Sequence, residues 1–354
     1  MSNQPVKIGI VGLGYPGRMH AKALGSLPDG AVHAIADLSP ERRNAFIEEF
    51  GKPPVVYETF EDLLGDSDLD AIVISLPNFL HHPASLSVLQ SGRHVFCEKP
   101  PTMNAAEMLE LEAEANSRKL IYFFGRQSRF SPEMIAAREL IKAGKIGPVH
   151  RGEARWLRSR CIPVGIDSWF TDKRRSGGGV LIDLGVHALD AAWFLMHHPR
   201  PVTVTSNVSQ TFDYLVPDIA VNDVEDSASA YIRFEDGSTI DLFVTWAGHH
   251  IEDPITSETD ERNGHINTTL HGSLGTIQLH PPTLITGDAT TTTTEPISIG
   301  PEASFKLQMQ DFLDAVLDRT PPTNSARQAV HLMEMLDAIY KSSDEGREIR
   351  LPDA

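Results

Sequence analysis

Short apolar runs alternate with helical segments over the first third of this sequence, from Lys7 to about residue 125. The expected strands are Val6–Val11, Ala31–Asp37, Val55–Tyr57, Ala71–Ser75, His94–Glu98 and Leu120–Phe124. The expected helices are Arg18–Leu27, Pro40–Phe50, Thr59–Leu64, His81–Gln90 and Asn104–Arg118. Apolar strands separated by helices are typical of a parallel sheet covered by helices on both faces. The pattern predicts a doubly wound α/β domain over residues 1–125.

The pattern changes after residue 125 toward longer strands with alternating apolar and polar positions. The expected strands are Val202–Gln210, Asp226–Phe234, Ser238–Trp246, Ile266–Gly272 and Gly275–Leu279. The expected helices are Glu133–Ala143, Asp183–His197, Phe305–Arg319 and Ala326–Ser343, the last capped by Asn324 or Ser325. Alternation of this kind is typical of a sheet with one buried face. We therefore expect an α+β domain over residues 126–354, with an open, mostly antiparallel sheet and C-terminal helices.

Length and composition limit the classes of protein to consider. A chain of 354 residues exceeds what one hydrophobic core usually serves, which favours two domains. With 48 acidic against 31 basic residues, the surface repels nucleic acid and anionic membranes, so neither partner is expected. Two cysteines, Cys97 and Cys161, are too few for a disulfide framework and indicate a reducing compartment. The N-terminus lacks a secretion signal, and no uninterrupted apolar run approaches the roughly twenty residues that span a bilayer. We expect a cytoplasmic protein.

A glycine-rich turn follows the first expected strand and reads Gly12-Leu13-Gly14-Tyr15-Pro16-Gly17. Glycines between a strand and a helix allow a tight turn, a close approach to a pyrophosphate and packing of helix on strand. The helix N-terminus adds amide donors and a partial positive charge. Such a turn can also be purely structural, but Asp37 ends the second strand, the position from which a carboxylate binds the adenosine ribose.

The identity of the residue at the end of the second strand predicts the cofactor. The Asp37 carboxylate would repel a 2′-phosphate, which favours NAD over NADP, although Arg42 and Arg43 follow closely enough to soften that preference. Pro77 and Asn78 end the fourth strand, where the nicotinamide ribose would pass; an ordinary loop turn is the alternative interpretation.

Two later clusters carry groups able to transfer protons. Glu98-Lys99-Pro100 closes a buried strand, and the proline restricts Lys99 to extended geometry in a fixed, cis-compatible turn at the carboxyl edge of the sheet. The second cluster follows Gly177-Gly178-Gly179 and contains Asp183 and His187, which share one face if a helix begins near Asp183. Oxidation of an alcohol needs such a base beside the hydroxyl. The helical pair could instead be an interior salt bridge, and no metal site is expected because no further ligand cluster accompanies it.

Together these motifs resemble the glucose-fructose oxidoreductase and inositol dehydrogenase family, Gfo/Idh/MocA, over nearly the whole chain. The resemblance rests on the glycine turn, Asn78 with His81, Glu98-Lys99-Pro100, and Gly177-Gly178-Gly179 with Asp183, Gly185, His187 and Asp190. It implies a Rossmann domain followed by an open-faced sheet domain that binds substrate and pairs subunits into homodimers or homotetramers. It also implies that Lys99 and His187 transfer protons at the substrate hydroxyl while Asp183 orients the substrate or tunes the other two. The cofactor-binding residues expected overall are Gly12, Gly14, Tyr15, Pro16, Gly17, Asp37, Pro77, Asn78, His81, Glu98 and Lys99.

The sequence departs from this family where many members carry an asparagine and paired arginines. Here the segment reads Gly125-Arg126-Gln127-Ser128-Arg129-Phe130-Ser131-Pro132, so the sugar pocket is expected to differ. Aromatic faces and charged donors suit a polyhydroxylated ring, although each such residue can equally be structural. The candidate substrate residues are Arg126, Trp156, Arg158, Arg160, Trp169 and Lys173.

The leading hypothesis is an NAD-dependent dehydrogenase for a secondary hydroxyl of a sugar, sugar derivative or inositol-like polyol. Two alternatives use the same residues. One is a glycoside hydrolase that oxidises its substrate transiently, eliminates the aglycone and takes the hydride back. The other is a non-catalytic protein that senses NAD.

Overall fold

The structure is a computed structural model that describes residues 4–159, 161–163, 169–216, 221–248 and 265–352. By its contacts the chain divides into two compact units. Unit 1 comprises Met1–Phe130 with Ala303–Val330, and unit 2 comprises Ser131–Glu302 with His331–Ala354. Arg160, one of the candidate substrate residues, lies outside the described residues.

Residues 6–124 fold into six strands and five α-helices. The strands are β1 (Val6–Val11), β2 (Gly30–Ala36), β3 (Val55–Tyr57), β4 (Ala71–Ile74), β5 (His94–Cys97) and β6 (Tyr122–Phe124). The helices are α1 (Tyr15–Leu24), α2 (Pro40–Phe50), α3 (Phe60–Leu64), α4 (His81–Gln90) and α5 (Ala105–Arg118). All strand pairs are parallel, and their order is β3-β2-β1-β4-β5-β6. This confirms the expected doubly wound Rossmann sheet.

Local sequence explains where these helices begin. The side chains of Ser39, Thr59 and Asn104 each accept a hydrogen bond from the amide three residues ahead, and so cap α2, α3 and α5. The strand β4 is buried at every position, as expected for a central strand covered on both faces. The strand order reverses between β1 and β4, the place where sheets of this topology form a ligand crevice.

From residue 131 onward, the described residues add five α-helices and nine strands. The helices are α6 (Pro132–Lys142), α7 (Lys173–Ser176), α8 (Val186–Leu195), α9 (Ser304–Val316) and α10 (Ala326–Glu345). The strands are β7 (Val149–Leu157), β8 (Pro201–Ser209), β9 (Ser227–Phe234), β10 (Thr239–Thr245), β11 (His265–Gly272), β12 (Gly275–Leu279), β13 (Pro282–Gly287), β14 (Thr292–Pro296) and β15 (Ile349–Arg350). They form one sheet in the order β14-β13-β12-β11-β7-β10-β9-β8-β15. Within this second sheet, β7–β10 is the one parallel pair among the described strands, which confirms a mostly antiparallel sheet.

The helix α9 packs in unit 1, whereas the sequence pattern placed it with the second domain. Met309, Phe312 and Leu313 are fully buried in the core that also contains Leu24 and the alternate β1 residues Val6, Ile8 and Ile10. A Cβ atom added to Gly30 would lie 2.9 Å from Leu313, so the glycine leaves room for this helix. An amphipathic pattern shows that a helix buries one face, but it does not identify the surface that covers that face.

The start of α10 decides between the two caps that the sequence left open. The Ser325 hydroxyl accepts the Gln328 amide at 3.4 Å, the capping geometry. Asn324 is fully buried and instead donates from its side chain to the Phe124 carbonyl at 3.0 Å, at the end of β6. Ser325 is therefore the cap, and Asn324 anchors the connection to the sheet of unit 1.

One helical segment of unit 2, Lys173–Leu195, is long and apolar enough by composition to cross a membrane. No uninterrupted apolar run marks this segment in the sequence, because glycines, Asp183 and His187 interrupt its apolar residues. The most apolar window of this segment is 89% buried inside the protein, and α8 contacts β7, β10 and β11. This burial is what a core helix of a globular domain shows.

Candidate active site

The glycine turn of unit 1 joins β1 to α1 at the point where the strand order reverses. Gly12 has a φ of +85°, and an added Cβ atom would lie 2.2 Å from the Ser75 carbonyl oxygen at the end of β4. A Cβ atom on Gly17 would lie 2.1 Å from the Gly12 oxygen, so both positions require glycine. Gly14 is different, because the nearest heavy atom to its added Cβ is 4.0 Å away. It leaves backbone accessible at the N-cap of α1, as a pyrophosphate site needs.

Asp37 lies at the end of β2 and is only 9% exposed. Its Oδ2 accepts the Leu13 amide at 2.8 Å, and its Oδ1 accepts the Ser39 amide at 2.9 Å. Each carboxylate oxygen can accept a further hydrogen bond, so the group is fixed in orientation and retains capacity for ribose hydroxyls.

A cavity of about 640 Å³ opens beside this carboxylate within unit 1. Its lining includes Gly12 and Asp37 from one side of the crevice and Ser75 and Pro77 from the other. Tyr15 is 72% exposed at the start of α1. Of the eleven predicted cofactor-binding residues, Gly12, Asp37 and Pro77 line this cavity.

The two arginines after β2 differ in their availability. Arg43 donates to the Asp37 carbonyl at 2.6 Å and to Glu58 at 3.2 Å, so its guanidinium is held by the protein. The Arg42 side chain is 63% exposed and lies 3.8 Å from the Asp37 carboxylate. Of this pair, Arg42 has the more exposed guanidinium, and it lies beside the Asp37 carboxylate where the cavity opens.

The Glu98-Lys99-Pro100 turn follows β5, and its acidic residue is buried. Glu98 Oε1 lies 2.6 Å from Nε2 of His20, and Glu98 Oε2 accepts the Lys99 amide at 3.1 Å. Burial acts to raise the pKa of Glu98, but the His20 hydrogen bond and charge outweigh it, with Lys99 contributing, and the net shift is downward. Glu98 therefore orients the turn from inside the protein. Lys99 is partly exposed, and its peptide bond to Pro100 is cis.

His81 begins α4 and is buried beneath the same turn. Its Nδ1 lies 2.6 Å from the Pro100 oxygen and its Nε2 lies 2.7 Å from the Leu76 oxygen. Both ring nitrogens are thus occupied by main-chain carbonyls and are not available to a nucleotide. Among the predicted cofactor-binding residues, His81 supports the site rather than lining it. Asn78 is also buried, in the short helical turn that precedes α4.

Arg126 follows β6 and is fully buried despite its charge. Its main-chain amide donates to Oε1 of Gln308 on α9 at 2.5 Å, which ties the end of the sheet to that helix within unit 1. Arg129 is 2% exposed and donates to Gln328 and to the Thr323 carbonyl. Both arginines of this segment are built into the fold of unit 1.

Asp183 and His187 face an accessible side of an otherwise buried helical segment in unit 2. Every residue from Gly178 to Asp190 is buried except these two. The predicted regular α-helix from Asp183 is wrong at its start, because Leu181–Gly185 forms a π-helical turn and α8 begins at Val186. Turns of this kind are frequent at functional sites. The carboxylate and the imidazole are nevertheless the two groups that reach the accessible side.

Aromatic and cationic side chains surround this pair. The Trp246 indole donates to Oδ2 of Asp183 at 3.1 Å, and the Arg158 guanidinium lies 3.7 Å from the same oxygen. The Trp156 ring lies 5.5 Å from the His187 ring in an edge-to-face arrangement and 5.6 Å from the Arg158 guanidinium carbon. The structure thus brings together four predicted residues of unit 2. Trp246, an aromatic residue whose sequence context favours a structural role over a substrate contact, also reaches Asp183.

The glycine-rich segment before Asp183 is required by packing. The Glu225 carboxylate accepts the amides of Gly179 at 2.9 Å and of Leu181 at 3.0 Å, and the Tyr340 hydroxyl at 2.8 Å. A Cβ atom on Gly178 would lie 2.0 Å from the Tyr340 oxygen, and one on Gly179 would lie 1.9 Å from the Glu225 oxygen. Burial raises the pKa of Glu225 even though these donors act to lower it. Glu225 and Tyr340 therefore hold the π-helical turn, and no local sequence signal marks them.

Trp169 and Lys173 are the remaining described candidates of unit 2. Trp169 stacks on Phe170 with ring centroids 4.1 Å apart. Lys173 is exposed at the start of α7, and its amide donates to Asp223 at 2.7 Å. Neither the Trp169 stacking contact nor the Lys173 amide hydrogen bond involves Asp183 or His187.

One group of possible metal ligands occurs among the described residues, in unit 1. His33, Asp66 and Asp68 place their ligand atoms within 4.8 Å of one another. The Lys7 ammonium lies 3.6 Å from Asp68 and offsets part of this negative charge.

Comparison with known proteins agrees with both halves of this description. Residues 6–126 match the model of the oxidoreductase family with an NAD-binding Rossmann fold, and residues 134–278 match the GFO/IDH/MocA C-terminal domain. D-glucoside 3-dehydrogenase of Escherichia coli (strain K12) is 26% identical over 362 residues, covering 99% of both chains. Inositol 2-dehydrogenase of Rhizobium meliloti (strain 1021) is 28% identical over 213 residues, covering 60% of this chain and 61% of that one. A structure of levoglucosan dehydrogenase in complex with NADH covers 99% of this chain and 100% of that chain, with a TM-score of 0.85 at 21% identity.

These matches cover most of the chain, and the glycine turn, Asp37 and the cavity beside them fit a dinucleotide. The chain therefore belongs to the GFO/IDH/MocA family of oxidoreductases, with an NAD-binding Rossmann domain followed by the C-terminal domain of that family.

Proposed function

We propose that this protein is an NAD-dependent dehydrogenase that oxidises a secondary hydroxyl of a sugar, sugar derivative or inositol-like polyol, or catalyses the reverse reduction. The observation that carries the proposal is the accessible pair Asp183 and His187, which stands beside Arg158, Trp156 and Trp246 in a chain with an NAD-binding domain. Relatives named as a glucoside 3-dehydrogenase and an inositol 2-dehydrogenase support the substrate class.

The reaction requires two transfers from the substrate carbinol. When bound, NAD supplies the acceptor for the hydride that leaves the carbinol carbon. The hydroxyl proton passes to a base of the protein, and the product is a ketone. In its neutral form, a lysine amine or a histidine imidazole can take this proton. We assign that acid-base work to Lys99 and His187.

The other residues of the proposed site bind and orient. The Trp246 indole orients Asp183, which also lies near Arg158, and a carboxylate can accept several hydrogen bonds, including those of substrate hydroxyls. The Trp156 ring offers an apolar face of the kind that sugar rings contact, and Arg158 offers donors to hydroxyl oxygens. Arg126, Arg160, Trp169 and Lys173 remain weaker candidates for substrate contacts.

The residues that we propose to contact the cofactor belong to unit 1. The backbone at Gly14 and the N-terminus of α1 would hold the pyrophosphate, and Asp37 would bind the adenosine ribose. Tyr15, Pro16, Pro77, Asn78 and Lys99 complete the proposed cofactor-binding set. Assembly into homodimers or homotetramers through the sheet of unit 2, and a cytoplasmic location, stay predictions.

The test is a panel of sugars, glycosides and polyols incubated with the protein and NAD or NADP, with nicotinamide absorbance followed over time. We expect stoichiometric reduction of NAD with at least one substrate of this panel. Aryl glycosides form a second arm of the same experiment. Release of the aglycone without net reduction would replace the proposal with the glycoside hydrolase. NAD binding without turnover of any compound would favour the non-catalytic sensor.

A further inference from the structure

The His81 ring connects two turns that follow neighbouring strands of unit 1. It is 1% exposed, with Nδ1 at 2.6 Å from the Pro100 oxygen and Nε2 at 2.7 Å from the Leu76 oxygen. A carbonyl oxygen can only accept a hydrogen bond, so each ring nitrogen must donate. A histidine with a proton on both nitrogens is an imidazolium cation. The contacts of this buried ring therefore call for its charged form.

The surroundings of the ring are consistent with that charge. Burial alone would lower the pKa of His81, but the facing sulfur of Cys97 on β5 and the carbonyls of Pro100 and Leu76 raise it to about 9. Tyr122 on β6 adjoins Cys97 and donates to the Pro101 carbonyl at 3.1 Å. Neither a thiol nor a phenol can carry a positive charge, so neither of these two side chains opposes the imidazolium.

The two carbonyls belong to the segments that carry the proposed reactive and cofactor-binding residues. Leu76 precedes Pro77 and Asn78 after β4, while Pro100 directly follows Lys99 after β5. Because β4 and β5 are paired neighbours, one rigid ring spanning both turns fixes the distance between them. A neutral imidazole has one N–H and would leave one carbonyl without a donor.

We propose that His81 is a positioning residue: as a buried imidazolium it braces the Leu76 and Pro100 carbonyls, and thereby holds Lys99 and Asn78 in fixed relation to each other. The part of this inference that concerns turnover rests on the proposed function. The part that concerns the protonation of the ring does not. The brace acts through the backbone, so it needs no contact between His81 and the cofactor or substrate.

Nitrogen NMR of the uniformly ¹⁵N-labelled full chain tests the protonation. The pH is set above the ordinary histidine pKa of about 6.5 and below the value of about 9 for His81. The His81 resonances, assigned through bonds to its own backbone, should show both ring nitrogens protonated. This signature should vanish in His81→Gln and persist in the matched control His82→Gln, whose ring is partly exposed and contacts Glu110 at 2.9 Å. A His81 ring with one protonated nitrogen at this pH would overturn the proposal.

Kinetics of the same variants test the positioning role on a substrate that the native protein turns over. Misplacement of a reacting group by about 1 Å can cost about 100-fold in rate. We expect kcat of His81→Gln to fall by about that factor while the Kd for NAD and the circular dichroism spectrum stay close to native. His82→Gln should keep native kcat. Native kcat in a folded His81→Gln protein would refute the positioning role.

The two experiments separate failure of this inference from failure of the proposed function. If the native protein oxidises no sugar or polyol, the proposed function fails, while the NMR result still decides the protonation of His81. If Lys99→Met is inactive but His81→Gln is fully active, the role of Lys99 stands and the brace is rejected.

Discussion

The main-chain amide of Leu13 donates a 2.8 Å hydrogen bond to Oδ2 of Asp37. The glycine turn therefore fixes the carboxylate at the end of β2, instead of leaving it free to swing away from the cavity. The Ser39 amide secures the other oxygen at 2.9 Å. Because this carboxylate is already ordered, binding a ribose costs little further conformational entropy of the side chain. A substitution of Asp37 is therefore the clearest test of cofactor choice.

We expect Asp37→Ser to weaken NAD binding and to narrow the preference for NAD over NADP. Hydrogen bonds to charged groups contribute about 1.5–3 kcal/mol, so the Kd for NAD should rise about 10- to 100-fold. Loss of the negative charge should also leave exposed Arg42 as the dominant charge near the ribose. Calorimetric titration with both nucleotides measures the two effects. Asp68→Ser removes an exposed carboxylate that does not line the cavity, and it should bind both nucleotides like the native chain. An unchanged Kd in Asp37→Ser would contradict the assignment.

Lys99→Met should lower kcat by about 100- to 10,000-fold, because general acid-base groups contribute factors of that size. The methionine keeps the length and apolar stem of the side chain but has no proton to exchange. NAD should still bind, since the glycine turn and Asp37 are unchanged. Steady-state rates with a substrate from the panel, together with NAD titration, give both quantities. Lys22→Met, an exposed lysine on α1, is the control and should keep native kcat. Comparable rates in the two variants would remove Lys99 from the mechanism.

The sequence was most informative where structure is set locally. Pro40–Phe50, Val55–Tyr57 and His81–Gln90 have the bounds that the pattern predicted, and the Ser39 cap marks the start of the first of them. The parallel, doubly wound arrangement of the first sheet also followed from the alternation of strands and helices. These features need no knowledge of distant partners.

The sequence pattern could not predict contacts between residues that are far apart in the chain. Phe312 on α9 packs in the core of unit 1, although nothing in the helix sequence names its partner. Asp183 and His187 could be placed on one face, but the π-helical turn and the Glu225 carboxylate that holds it could not. Glu225 lies in an unremarkable segment before β9, and only the folded chain brings it to Gly179.

His187→Ala should reduce kcat by about 100- to 10,000-fold with little change in NAD affinity. The imidazole is one of two side chains that reach the accessible side of its helical segment, so its removal should not disturb the buried face. His150→Ala, an exposed histidine on β7, is the matched control and should retain native rates. The same kinetic assay and a thermal melt check activity and folding. A folded His187→Ala protein with native kcat would show that its imidazole takes no part in proton transfer.

The pair formed by His20 and Glu98 predicts how stability depends on pH. The pKa of Glu98 is lowered below its ordinary value of 4.5, with the His20 hydrogen bond and charge outweighing burial. A group with a lowered pKa in the folded state binds fewer protons than it does when unfolded. Its stabilising contribution is therefore present above pH 4.5 and is lost as the pH falls through the lowered folded pKa.

Replacing His20 by Phe should reverse the sign of this contribution. The phenyl ring can keep the contacts that His20 makes with Phe96 and Phe305, but it offers no hydrogen bond to Glu98. Burial then dominates, and the pKa of Glu98 rises instead of falling. Glu98→Gln does not titrate at this position and serves as the reference. Relative to it, the free energy of unfolding of the native chain should increase as the pH rises through the acid range. The free energy of unfolding of His20→Phe should decrease over the same range. Urea unfolding at a series of pH values measures these differences. Parallel curves for the native and His20→Phe chains would mean that His20 does not set the charge state of Glu98.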